Sequence, residues 1–496
     1  TPYNDARVLT KEDLTELADC WGRAALRARQ AGFDSVELHG AHGYLLSQFL
    51  SPFTNRRTDE YGGSAERRMR FPLEVLRRVR EYVGPDFPVG YRLSAEERLE
   101  EVGIANGLKL EDGVAFARRL ADEGISWIHV SVGLRETNFM VSPPACVDKG
   151  WISGVARAVR EGVGHRVPII AVNRITDENV AEDILRRGDA DLTAMGRALI
   201  ADPDLPNKAA AGQSEDIMGC ALNPLTGREE MYDLSRVSSP KKVLVIGGGV
   251  AGMQAALIAA RRGHHVELME REGRLGGLLA LAARPPFKQD LDLLAPRFEH
   301  ALRAAGVAVH LNSEADVDSV RAAHADAVIL AAGSVPVFPG FCKAAPNAVT
   351  ADRVLSGAVA PGTKVLIMGG GLIGCETAEF LAEQGREVTI LELRDALAPD
   401  METRTRIFML DRLRQLGVEK HEIVVSDGEQ SEKSQSGEPN HSSEDSDSSN
   451  GTPGTPTPKT IYHGPSRKGR TYNKHTVGTP IIHKCDLSHL PEGVTY

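Results

Sequence analysis

The sequence is short of aromatic residues: Phe, Trp and Tyr together fill 5% of 496 positions. That leaves little for the stacking platforms on which single-stranded nucleic acids lie. Positive charge is not in excess either. Lys and Arg number 58 against 68 Asp and Glu, a formal charge of −10, so no general basic face for a phosphate backbone is expected. No apolar run approaches the roughly 18 residues that a membrane-spanning helix needs. Cysteine is scarce and scattered, at Cys20, Cys146, Cys220, Cys342, Cys375 and Cys485. No two of these form a C-x-x-C metal or redox motif. Scattered thiols suit a reducing, cytoplasmic compartment. The start of the chain, at Thr1, does not read as a signal peptide.

What is present is an ordinary globular composition, 42% hydrophobic and 25% charged, on a chain long enough for several domains. Residues 1–208 alternate helix and strand patterns. Thr10 to Asp13 reads as a capping box, T-x-x-D. After it Leu14, Leu17, Trp21, Ala24 and Ala28 recur at helical spacing. Short apolar runs follow: SVEL (35–38), FPVGYRLS (87–94), WIHVSVG (127–133), VPIIAV (167–172) and LTAMG (192–196). Each comes after a helix-like stretch. That alternation predicts parallel strands, and strands apolar on both faces suit a barrel or a doubly wound sheet. These are five βα units, where a closed barrel has eight.

Residues 209–240, rich in Gly, Ser and charge, read as a linker. KKVLVIGGGVAGMQAALIAARRGHHVELMER (241–271) then has the order strand, glycine turn, helix, strand, and KVLIMGGGLIGCETAEFLAEQGREVTILEL (364–393) repeats it. Gly247, Gly249 and Gly252 fill G-x-G-x-x-G in the first copy, with Glu270 ending the next strand. Gly369, Gly371, Gly374 and Glu392 do so in the second. The spacing fits a tight turn, a backbone that a pyrophosphate can approach, a helix packed close to its strand, and an acid for a ribose hydroxyl. Two Rossmann-like dinucleotide domains are therefore expected, 241–360 and 361–420, the second one truncated. Glu392 favours NAD over NADP, since a carboxylate repels a 2′-phosphate, while nearby Arg394 keeps NADP open. From 426 to 459 there is no aliphatic or aromatic residue, so the tail 421–496 is expected to be disordered.

VELHGAHGYLL (36–46) sets two imidazoles, His39 and His42, and the phenol of Tyr44 just after a run of strand formers. Gly40 and Gly43 are expected to make a turn there. Metal binding would need a third ligand, and none stands nearby. A pair of structural histidines is the plain alternative. In a barrel, residues at strand C-termini point into the active mouth. Two imidazole donors there would grip a carbonyl oxygen, and a neighbouring phenol would deliver a proton.

The stretch HGAHGYLLSQFLSPFTNRRTDEYGGSAERRMRF (39–71) resembles the signature of the old yellow enzyme family of flavin ene-reductases. VNRITD (172–177) and AMGRALIADPDLPNK (194–208) resemble that family's last two barrel strands, where the FMN phosphate is held. GRLGGLLALAARPPFK (273–288), which contains Gly277, and AVILAAGSVP (327–336) extend the likeness to its large members. Those include the 2,4-dienoyl-CoA reductases, bacterial NADH:flavin oxidoreductases and bile-acid enone reductases. The resemblance covers about residues 1–418. It implies a (β/α)8 barrel followed by FAD- and NAD(P)H-binding domains. It further implies that His39 and His42 polarise a substrate carbonyl and that Tyr44 protonates the carbon alpha to it. Arg92 would lie at the flavin pyrimidine, and Asn173, Arg174, Gly196 and Arg197 at the FMN phosphate. Gly277, with the first glycine turn, would serve FAD. Electrons would pass from NADH through FAD and FMN to the C=C bond of an enone, enoate or enoyl-CoA, a small-molecule partner.

The chain departs from that pattern in three places. The family carries a [4Fe-4S] cluster on four cysteines between barrel and FAD domain. In GQSEDIMGCALNPLTGREE (212–230) only Cys220 remains, and one thiolate cannot hold such a cluster. The five barrel strands correspond to the family's last five. The likeness stops near Val418. Together these breaks read as a fragment, a spliced variant or a faulty gene model. Two other readings therefore stand beside the ene-reductase: an impaired nucleotide-binding or scaffold protein, and a diaphorase-like NADH dehydrogenase confined to 241–418.

Overall fold

The computed structural model describes residues 7–213, 223–338, 342 and 345–422. Cys220 and the tail from 423 onward lie outside them. The chain opens on the helix Lys11–Gln30, capped as the T-x-x-D pattern predicts. Asp13 N donates to Thr10 Oγ1 at 3.2 Å, and Thr10 N to Asp13 Oδ2 at 2.7 Å. Its buried stripe differs from the expected one. Leu14, Ala18, Gly22 and Ala25 are buried, while Ala24 is exposed. The stripe slants because this helix packs against the helix Ala65–Val83: a Cβ on Gly22 would meet the Tyr82 ring at 2.3 Å.

Strands β1 (Val36–Gly40), β2 (Val89–Ser94), β3 (Trp127–Ser131), β4 (Ile169–Ala171) and β5 (Leu192–Thr193) form one parallel sheet in sequential order. Sequential order decides between barrel and doubly wound sheet. Right-handed crossovers that all step the same way put every helix on one face. The helices 11–30, 65–83, 110–122 and 153–162 accordingly pack side by side on the outside. The sheet is thus a TIM-barrel-type layer, open among the described residues with β1 and β5 as its edges.

The two faces of the sheet are unlike. Leu38, Tyr91, Leu93, Ile128 and Val130 are buried against the helices. The opposite face carries Glu37, His39, Arg92 and His129, and at its β5 edge Leu192 is 52% exposed. The expectation of strands apolar on both faces is corrected here, since the inner face is polar through its first three strands. Gly40 is corrected too. It lies within β1, where a Cβ would stand 2.0 Å from Tyr91 Oη, and the turn falls at His42 and Gly43, with φ of 62° and 78°. The fully buried Tyr91, edge-on to Phe116, cannot swing aside.

The second sheet has the order β8-β7-β6-β9, from β6 (Lys242–Ile246), β7 (His265–Met269), β8 (Ala308–His310) and β9 (Ala327–Leu330). This is the Rossmann order, with its switch point beside β6. The third sheet, β10 (Lys364–Met368), β11 (Glu387–Glu392) and β12 (Glu419–Glu422), repeats the first part of that plan. Residues 421 and 422, expected in the tail, pair with Leu391 and Glu392 as part of β12. The units touch through Lys288–Glu376 at 2.6 Å, Lys149–Asp290 at 3.1 Å and the Phe139 and Phe408 rings at 5.6 Å. No helix among the described residues is long and apolar enough to cross a membrane.

Helix-on-sheet fit in the first unit is tightest at Gly113, in the helix Leu110–Asp122, where a Cβ would stand 2.0 Å from Ala95 O. A Cβ on Gly154, also helical, would meet nothing within 4 Å among the described residues. Gly113→Ala is expected to cost about 2–3 kcal/mol. Gly154→Ala is expected to be neutral or to stabilise by up to about 1 kcal/mol. Trp21, Trp127 and Trp151 all lie in this unit, so urea unfolding followed by tryptophan fluorescence reads it alone. Equal midpoints for the two variants would contradict this packing.

Candidate active site

Parallel pairing builds the site from one row. His39 pairs with Arg92, and Arg92 with His129, so the three side chains point to the same inner face. One step further along, Ser94 pairs with Ser131 at the strand ends. The turn after β1 folds back over those ends. His42 N donates to Ser94 Oγ at 3.0 Å, Ser94 Oγ donates to Gly133 O at 2.7 Å, and His42 Nε2 lies 2.8 Å from Ser131 Oγ. The His39 ring is thereby set 5.3 Å from that of His42 and 5.0 Å from that of Tyr44, centroid to centroid. Tyr44 is 60% exposed, open to the mouth.

Electrostatics keep both imidazoles neutral. Burial, then the Arg92 charge, holds His39 below its ordinary range. The same causes, in the same order, bring His42 down to about 3. Burial lowers Arg92 as well, against the pull of Glu37. Beneath Arg92, the Glu37 carboxylate accepts from Trp127 Nε1 at 2.9 Å and from His129 Nδ1 at 3.2 Å. Burial raises the Glu37 pKa, but these two donors, together with nearby positive charge that includes Arg92, leave it lowered.

Two buried polar atoms in this row have no partner among the described residues, Arg92 Nε and His129 Nε2. Buried orphans of this kind are rare and call for a ligand or water. A flavin ring rich in N–H and C=O groups fits a face with those atoms below His39. At the ends of β4 and β5 the chain takes an unusual path: Asn173 and Arg174 have φ of 92° and 48° in succession. The buried Asn173 donates to Met140 O at 3.0 Å, Arg174 donates to Val147 O, and Arg197 to Pro143 O at 3.1 Å. Three of the residues expected at an FMN phosphate thus grip one segment, 140–147, while Gly196 precedes the short helix Arg197–Ala201.

The glycine turns lie on the other two sheets and match each other closely. Glu270 Oε2 accepts from Gly248 N at 2.5 Å and Glu392 Oε2 from Gly370 N at 2.6 Å. Each acid thus pins its own turn. A Cβ on Gly252 or Gly374 would fall 1.8 Å from the carbonyl of Gly247 or Gly369. Around Gly249 and Gly371, which cap the helices Val250–Arg261 and Leu372–Glu383, the Cβ position is open. That is the cradle a pyrophosphate fills at a helix N-terminus. Gly277 (φ 54°) closes over the first cradle, its Cβ position 3.2 Å from Gly249 Cα. The copies differ at their first glycine. A Cβ on Gly247 would strike Ala331 O at 2.3 Å, whereas a Cβ on Gly369 would meet nothing within 4 Å among the described residues. A fourth strand flanks β6, and none flanks β10 among the described residues.

An iron–sulfur cluster does not fit the described residues. Cys20, Cys146, Cys342 and Cys375 are unpaired, no group of three or more metal-ligating side chains occurs, and Cys220 lies outside the described residues. The residues that sequence reasoning passed over are Ser94, Ser131, Glu37, Trp127 and His129. The serines had a signal: each ends its strand two residues after an inward-facing Arg92 or His129.

Residues 1–216 match the NADH:flavin oxidoreductase / NADH oxidase family, and residues 241–446 the pyridine nucleotide-disulphide oxidoreductases. An NADH oxidase from Thermoanaerobacter brockii is 41% identical over 83% of this chain and 66% of its own. A cinnamate reductase from Clostridium sporogenes is 38% identical over 79% of this chain and 63% of its own. A solved 2-naphthoyl-CoA reductase in complex with 2-naphthoyl-CoA superposes with a TM-score of 0.79 at 30% identity. That match covers 86% of this chain and 67% of that one. The chain spans about two thirds of the length of these relatives.

Two expectations follow from the geometry. With its pKa near 3 rather than 6.5, His42 stays neutral in the folded chain where the unfolded chain is already protonated. Between about pH 6.5 and 3 its contribution to stability therefore falls as pH falls, by up to about 1.4 kcal/mol per pH unit. An NMR titration of the His42 ring should show no midpoint between pH 8 and 5; a midpoint near 6 contradicts the site. Gly249→Ala should leave urea stability unchanged and weaken nucleotide binding by ~10-fold or more, about 1.4 kcal/mol, by calorimetry. Unchanged affinity would rule out that cradle.

Proposed function

Given that the chain belongs to the NADH:flavin oxidoreductase / NADH oxidase family, with the old yellow enzymes among its kin, and carries a pyridine nucleotide-disulphide oxidoreductase domain, we propose that it reduces the C=C bond of an α,β-unsaturated carbonyl compound at the expense of NAD(P)H. The substrate class is an enoate or an enoyl thioester. FMN and FAD are the cofactors this family uses. The observation that carries the reading is the meeting of His39, His42 and Tyr44 at the strand ends, above the orphaned Arg92 Nε and His129 Nε2.

The flavin, when bound, supplies the hydride that forms the new C–H bond at the β carbon. The chain's residues do the rest. His39 and His42, neutral donors side by side, hold the carbonyl oxygen and stabilise the negative charge that gathers there as the π pair shifts. Tyr44 gives its phenolic proton to the α carbon and, being exposed, regains one from water. Arg92 would set a positive charge at the flavin pyrimidine. Asn173, Arg174, Gly196 and Arg197 hold the phosphate end. The first turn, with Gly247, Gly249, Gly252, Glu270 and Gly277, takes FAD, and the second, with Gly369, Gly371, Gly374 and Glu392, takes the nicotinamide nucleotide.

NADH is favoured over NADPH. Glu392 accepts from Arg394 N at 2.9 Å, and Arg394 Nη1 is engaged by Asp400 at 3.2 Å rather than free for a 2′-phosphate. A cytoplasmic site of action fits the unpaired cysteines. A second reading, diaphorase-like electron transfer by the nucleotide domains alone, is supported by the open edges of the first sheet and by the lack of cluster ligands among the described residues.

The two readings part at one residue. Tyr44→Phe is expected to lower enone reduction by ~10²–10⁴-fold while leaving NADH-dependent dye reduction intact. Enone turnover that survives the change would defeat the ene-reductase reading. NADH oxidation with dyes but with no enone would favour the second.

A further inference from the structure

An imidazole can donate to a carbonyl only from the nitrogen that bears hydrogen. For a neutral His42, one ring nitrogen is a donor and the other an acceptor, and the choice decides whether this ring can do the work assigned to it. Its Nε2 faces Ser131 Oγ at 2.8 Å, and its Nδ1 has no partner among the described residues. Ser131 is 1% exposed, at the end of β3. Its hydroxyl makes no other hydrogen bond among the described residues. Were Nε2 to carry the hydrogen, Ser131 would accept it and its own O–H would be buried with nowhere to point. Such an unsatisfied buried donor is disfavoured. Ser94 gives no relief, since no hydrogen bond joins its hydroxyl to that of Ser131 among the described residues.

We propose that Ser131 is a positioning residue: its hydroxyl donates to Nε2 of His42, fixes the hydrogen on Nδ1, and so turns that nitrogen into the donor presented to a ligand oxygen. The direction of the His42 shift agrees, because a ring that resists protonation must rely on its tautomer to donate. The backbone reinforces the arrangement. His42 sits at φ 62°, a left-handed conformation that a histidine adopts at a cost, and its own N–H is tied to Ser94. Ser94 and Ser131 are register partners, so two adjacent strand ends hold the ring by its backbone and by its far nitrogen. The role of the donor rests on the ene-reductase reading, but the tautomer itself does not.

The test is nitrogen-15 NMR of the full chain with labelled histidine, without substrate. The His42 signal is assigned by its loss in His42→Asn. The ring of the parent is expected as the Nδ1–H tautomer at pH 7, with Nε2 unprotonated. Ser131→Ala should shift the equilibrium toward Nε2–H, and Ser131→Thr, which keeps a hydroxyl, should restore the parent signal. An Nε2–H ring in the parent overturns the proposal, and so does an Nδ1–H ring unmoved in Ser131→Ala. The parent measurement stands even where a variant fails to fold. If the tautomer is as proposed and no enone is reduced, the function fails and the assignment of Ser131 survives.

Discussion

The first unit depends on the parity of parallel β-pairing. Once Val36 is matched to Val89 and Gly90 to Trp127, every second residue of three neighbouring strands must face the same way. A slip of one residue would turn His39, Arg92 and His129 into the helix layer and bring Leu38, Tyr91 and Ile128 out. The apolar set is therefore what aims the polar one. Gly40 and Gly90 lock the register further. A side chain at either would collide with the Tyr91 or Trp127 ring, so the neighbouring aromatic can close over the strand only there.

The nucleotide folds apply a different constraint twice. In each, an acid at the end of the second strand accepts from the middle N–H of the glycine turn, and the third turn glycine lets the helix start against the first. Those interactions shape the turn before any nucleotide arrives. The difference between Gly247 and Gly369 has a simple origin. The first is pressed by the end of β9, and the second has no such neighbour among the described residues. Its φ of 99° still favours glycine.

Much of this was legible in the sequence. The T-x-x-D cap, the parallel strands, both glycine turns with their acids, and the grouping of His39, His42 and Tyr44 all show in short-range pattern, although pairing between strands is what sets the last three in place. What escaped was set by tertiary contact. The buried stripe of the first helix slants toward Ala18 and Gly22 because the Tyr82 ring lies there. Gly40 looked like a turn residue because nothing local announces the Tyr91 hydroxyl above it. The polar inner face was hidden in strands that read as apolar runs, since Glu37, Arg92 and His129 are spaced among larger hydrophobics. Ser94 and Ser131 gain meaning only when β2 and β3 are laid side by side.

The proposed reaction needs the inner face of the first sheet to hold its own flavin beneath the two imidazoles, distinct from one at the first glycine turn. Chromatography of the chromophore released by heating the purified full chain tests that claim most directly. Both FMN and FAD are expected in the released fraction. FAD alone would contradict it, for then the orphaned Arg92 and His129 atoms face no flavin and no hydride source lies beside a carbonyl held by the two imidazoles.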